Sequence, residues 1–259
     1  MAFHKIAYLF VALTFVLASC QSKKQSLYKT WFYAYNNTSE KGIQGGQELT
    51  PENFIDLQRD GIYASYLSEF EYGNWNVEGR LIQLQNHKGD KKTIKIISGT
   101  GGELTLDLTP GSQNGNSYVF TGISNKKTEG ENNPFSKENN KWRIRSPGPE
   151  TSEEIKARLI NHFKYWESYF EWAVANDLET LDVSSKNSPL ELYGNGFKLI
   201  PYEELSEVWK SNFFNEEDCR EAWNKLKTMM DTRNISWPKT ENRFLLFISA
   251  FQQLQGMVD

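Results

Sequence analysis

Between residues 53 and 123 the chain is cut at short intervals by residues that favour tight turns. Asp60-Gly61, Glu78-Gly79, the stretch 86–90 and Gly99-Thr100-Gly101-Gly102 separate runs rich in β-branched and aromatic side chains. Glycine supplies the positive φ of tight hairpins, and turns at this spacing belong to antiparallel sandwiches and barrels. The pattern predicts strands at 28–35, 53–58, 62–69, 71–77, 80–85, 93–98, 103–108 and 117–123. Leu104, Leu106 and Leu108 alternate with Thr105, Asp107 and Thr109, so that strand has one dry and one wet face. In up-and-down order, eight strands close a barrel that holds packed side chains or one small ligand. A sandwich satisfies the same pattern.

Trp31 comes first, followed by Asp60-Gly61-Ile62-Tyr63, then Gly73-Asn74-Trp75 with Gly79 and Leu81, then the alternating leucines 104–108. This succession resembles the lipocalin-like domains of bacterial lipoproteins over about 95 residues. It departs at position 29, where that family's Gly-x-Trp has glycine and this chain has Lys29. The resemblance implies a cup for an apolar or amphipathic ligand. Trp31 and Tyr33 share one strand face, and Tyr63, Tyr66 and Trp75 lie on neighbouring strands. Rings with polar tips suit a pocket that is apolar in body and hydrogen-bonding at its rim. The same five rings also suit a core without a ligand.

The first twenty residues carry an address. Lys5 precedes an apolar run at 6–18. That run is shorter than the roughly 20 residues a spanning helix needs, so residues 1–19 read as a secretory signal. Leu17-Ala18-Ser19-Cys20 resembles the bacterial lipobox, which implies acylation of the Cys20 sulfur and a mature chain starting at Cys20. Each buried CH₂ contributes about 0.8 kcal/mol, and two acyl chains anchor stably. Residues 20–27 then form a polar tether. Gln21, where inner-membrane lipoproteins carry Asp, implies by the same resemblance an outer-membrane destination in the cell envelope, on the periplasmic or the outer face.

Composition separates two halves. Residues 20–149 hold 16 Lys/Arg against 14 Asp/Glu, whereas residues 150–259 hold 12 against 19. Neither is the clustered basic charge of a nucleic-acid binder, so no nucleic-acid partner is expected. The domains expected are the β domain at 28–124, a Pro-punctuated polar linker at 125–150 and a helical domain at 151–259. The alternation Lys141-Trp142-Arg143-Ile144-Arg145 suggests an edge strand within the linker. The fold class is therefore α+β, an antiparallel lipocalin-like barrel or sandwich followed by a small helical domain.

In the helical half, Thr151 with Glu154 fits a capping box opening a helix to about residue 177. Ile155, Leu159, Phe163, Trp166, Phe170 and Ala173 follow helical spacing along it. Further helices are predicted at 202–211, at 216–231 (capped by Asn215) and at 241–256 (capped by Thr240). A small hairpin is expected around Gly194-Asn195-Gly196. Cys219 falls on the apolar stripe of its helix, and with Cys20 acylated it has no disulfide partner. Seventeen of the last 110 residues are Phe, Trp or Tyr. Such a load suits either an aromatic core or a face for an envelope protein partner.

No catalytic constellation is legible. His87 and His162 lack metal-ligand spacing, and Cys219 has no evident histidine base. There is no G-x-S-x-G elbow or phosphate-binding glycine loop. The paired carboxylates Glu203/Glu204 and Glu216/Glu217 open helical turns, where they complement the dipole. The sequence therefore reads as a non-enzymatic accessory module without cofactor or metal. A ligand carrier is the alternative, and a hydrolase with a composite carboxylate site is a third reading.

Overall fold

The computed structural model describes residues 24–36, 53–111, 117–123, 133–176, 192–194, 197–232 and 235–257. The signal expected at 1–19, the expected lipidation site Cys20 and the expected tether up to residue 23 lie outside these residues, as do 125–132 of the expected linker and Asn195-Gly196 of the expected hairpin. The chain divides into two compact units. One comprises Met1–Glu48, Phe54–Tyr63 and Glu71–Ser124; the other comprises Leu49–Asn53, Ala64–Phe70 and Asn125–Asp259.

Eight antiparallel strands run in sequence order around a closed barrel. They are β1 (Thr30–Asn36), β2 (Phe54–Leu57), β3 (Ile62–Tyr66), β4 (Phe70–Glu78), β5 (Leu81–Asn86), β6 (Lys91–Gly99), β7 (Glu103–Asp107) and β8 (Ser117–Ile123). Of the two architectures compatible with the sequence, this is the barrel. Pairing β8 back onto β1 leaves no open sheet edge. Register places apolar side chains opposite one another at Trp75↔Leu84, Ile82↔Ile94 and Leu104↔Phe120. All six are almost fully buried. At the β4–β5 turn, Glu78 pairs directly with Leu81, leaving a two-residue loop whose Gly79 sits at φ +62°.

The second unit is mainly helical. Its elements include α1 (Ser152–Ala175), the ribbon of β9 (Tyr193–Gly194) with β10 (Lys198–Leu199), α2 (Glu207–Lys210), α3 (Glu216–Thr232) and α4 (Arg243–Gln255). The capping box forms: Thr151 Oγ1 accepts the Glu154 N–H, and the Glu154 carboxylate accepts the Thr151 N–H at 2.7 Å. Phe163, Trp166 and Phe170 of α1 pack against Phe251, and Phe170 also meets Phe244 and Phe247 of α4. The predicted stripe of α3 is inside, with Cys219, Ala222 and Leu226 buried.

Three local expectations change. The helix expected at 202–211 is a 3₁₀ turn (Tyr202–Glu204) followed by α2, because Ser206 caps a new start by accepting the Trp209 N–H at 3.1 Å. The last helix is capped by Asn242, not Thr240; its Oδ1 accepts the N–H groups of Phe244 and Leu245. Lys141–Arg143 is a 3₁₀ turn, not an edge strand, and the adjacent Trp142 and Arg143 are both buried. Residues 133–150 belong to the second unit, with Phe135, Asn140, Trp142 and Arg143 buried in it. Arg158 of α1 reaches into this segment, donating to the carbonyls of Trp142 and Ile144 and pairing with the buried Glu150 carboxylate at 2.8 Å.

Candidate functional site

Hairpin turns alternate between the two ends of an up-and-down barrel. The start of β1 therefore shares an end with the β2–β3, β4–β5 and β6–β7 turns. A cleft of about 400 Å³ opens at this end. Leu27, Trp31, Val77, Ile96 and Leu104 contribute to its apolar wall, and Arg80 and the loop Gly99-Thr100-Gly101 edge it. Among the described residues, Arg80 is the charged member of its lining.

Two local features create the cleft. The ladder between β6 and β7 pairs Ile96 with Leu106 and Ser98 with Thr105, so Ile97 is the extra residue of a bulge. A bulge re-aims side chains, which is why the consecutive residues Ile96 and Ile97 both line the cleft. The second feature is the segment before β1, which is fastened to this end. The Leu27 carbonyl accepts the Trp31 indole N–H at 3.0 Å. The Lys29 ammonium donates to the Gly101 carbonyl. Tyr28 meets the Trp75 ring edge-on at 5.8 Å, and the Lys24 ammonium lies 5.3 Å from the centre of the same ring.

Of the five aromatic residues singled out from the sequence, the cleft contains Trp31. Tyr33 is half-buried and packs edge-on against Tyr118 and Phe120. Tyr63 is buried, and burial, with the nearby Glu71 carboxylate, pushes its hydroxyl far above the ordinary phenol range. Trp75 is buried and donates its indole N–H to the Gln58 carbonyl at 3.0 Å. Tyr66 lies in the second unit, its ring 3.9 Å beneath the Arg143 guanidinium. Most of the aromatic set is thus packing, as expected for a small barrel filled by its own side chains. Sequence reasoning missed Arg80, Ile97 and Leu27. The glycine-rich loop at 99–102 was the visible signal, but it read as a turn and nothing more.

The second unit buries its most reactive groups. His162 sits edge-on to Trp142 at 4.6 Å, with its Nε2 3.4 Å from the Tyr193 hydroxyl. Burial and the neighbouring Arg143 charge hold the imidazole well below its usual pKa, so it is neutral. Arg143 lies over three rings, those of Tyr66, Trp142 and Tyr165. Burial pushes the Cys219 thiol up to about 11, away from the thiolate that nucleophilic chemistry requires. His87, in the barrel, stacks on Tyr72 at 4.2 Å. Among the described residues no group of His, Cys, Asp and Glu is arranged to hold a metal ion, and no helix is long and apolar enough to cross a membrane.

Comparison with known proteins finds no family model, no curated protein and no solved structure that matches this chain.

Proposed function

We propose that the protein is a non-enzymatic, lipid-anchored lipoprotein of the bacterial outer membrane whose barrel carries a small amphipathic ligand in the end cleft. The lipobox-like motif at Cys20 supports the anchor. One observation carries the ligand reading: the cleft has apolar walls and cationic groups at its edge, Arg80 in the lining and Lys29 bonded to the Gly101 carbonyl. Its volume lies within the roughly 300–1,000 Å³ of small-molecule sites. An apolar body with an anionic or strongly polar head fits that arrangement. The burial of Cys219 and His162 favours binding over catalysis.

The test is titration with a dansyl-labelled fatty acid. Saturable, one-to-one fluorescence enhancement is expected. Gly101→Trp should abolish it, since Gly101 lines the cleft and a Cβ there meets no atom within 4 Å, leaving room for a ring to start. Absence of saturation in the unsubstituted protein ends the carrier reading.

The exposed Trp237 and Leu245 favour a second role, an envelope protein docked on the helical residues 151–259. Trp237→Ser combined with Leu245→Asp should then release a membrane protein that co-purifies with the lipidated chain. Unchanged co-purification rejects this role.

A further inference from the structure

Three large apolar side chains of the described barrel residues are exposed: Ile62 at 45%, Leu81 at 36% and Ile97 at 41%. All three sit at the end that carries the cleft. Ile62 opens β3 just after the β2–β3 turn, Leu81 opens β5 just after the β4–β5 turn, and Ile97 is the bulge residue before the β6–β7 loop. Singly exposed apolar residues are ordinary, but among the described barrel residues these three gather at one rim.

The N-terminal segment enters at the same rim and is held there by Leu27, Tyr28 and Lys29. Four Cα–Cα steps separate Cys20 from Lys24, a reach of about 14 Å. The nine-residue strands β4 and β6, tilted as barrel strands are, put the opposite end about 23 Å away. Acyl chains on Cys20 can therefore bring this rim to a bilayer surface, but not the far one. Lys24, Lys29, Arg59 and Arg80 also lie at this end, with Asp60, Glu78 and Glu103. The charge is close to balanced, so tether length and apolar contact dominate over attraction to lipid phosphate.

We propose that this rim is a membrane-docking face: Ile62, Leu81 and Ile97 enter the headgroup region of the phospholipid bilayer that holds the Cys20 acyl chains, and the cleft opens onto that surface. An amphipathic ligand then passes between bilayer and cleft without crossing bulk water. The docking rests on the lipid-anchor reading above and deepens its account of the ligand's source.

The experiment uses the acylated protein in vesicles of phosphatidylethanolamine with a minor fraction of phosphatidylglycerol. A nitroxide is attached at Gly102→Cys, in the cleft-end loop, or at Lys88→Cys, in the β5–β6 turn of the opposite end. Acylated Cys20 and buried Cys219 leave the new thiol as the reactive one. A water-soluble relaxation agent should reach the residue 102 label several-fold less than the residue 88 label. Ile62→Asp with Ile97→Asp should remove that difference. Equal exposure at both ends, or the reverse order, overturns the docking while leaving the anchor intact. Mass spectrometry of the same sample separates the cases: an unmodified Cys20 removes the anchor and the docking together.

Discussion

Gly122 of β8 lies beneath the indole of Trp31, its cross-strand partner, so closely that a Cβ there would stand 2.5 Å from Cζ3 of the ring. The absence of a side chain on one strand is what leaves room for the indole of the next, which lines the cleft.

Gly122→Ala should therefore destabilise the barrel by about 1–3 kcal/mol, the usual range for overpacking. Gly148→Ala is the matched control, because its Cβ meets nothing within 4 Å. Urea midpoints for the two variants should separate clearly; coincident midpoints refute the packing argument.

Arg158 and Glu150 form a buried pair, 9% and 5% exposed in their side chains. Removing one partner of such a pair strands the other charge and typically costs about 3–5 kcal/mol. Arg158→Met should lose stability in that range, and adding Glu150→Gln should recover a good part of it. A double variant no more stable than Arg158→Met would show that the carbonyl contacts to residues 142 and 144, not the ion pair, dominate.

His162 makes stability depend on pH. Its folded pKa is lowered by burial and by Arg143, while the unfolded chain titrates near 6.5. Below that value the unfolded state binds a proton that the native state refuses, so stability falls as pH falls. The slope approaches about 1.4 kcal/mol per pH unit for one group. Urea unfolding between pH 7.5 and 5 should show this decline, and His162→Gln should flatten it. An equally steep decline in the variant would assign the effect elsewhere.

Cys219 should resist a thiol reagent in the native protein and react at once in denaturant, since it is 1% exposed and its thiol is pushed up to about 11. Rapid labelling at neutral pH without denaturant would contradict the buried register of α3.

The strands were legible because their signals are local. Gly79 and the alternating leucines of β7 state their roles within a few residues of chain, as do the Thr151–Glu154 box and the stripe of α1. Misreadings arose where a local competitor intervened, as at Ser206, or where burial overrode alternation, as at Trp142 and Arg143. Barrel or sandwich was not decidable from such patterns, because both use the same alternation and differ only in whether the last strand finds the first.

What the sequence determined by itself is the eight strands, the three long helices and the burial of Cys219. Tertiary structure alone decided that the barrel closes, that Tyr66 serves the second unit, and that a cleft forms where the Ile97 bulge, Arg80 and the segment before β1 meet. The physical reason is sequence distance. Leu27, Val77 and Leu104 become neighbours only when long-range pairing brings three hairpin turns and the start of β1 to one end, and no short-range periodicity encodes that meeting.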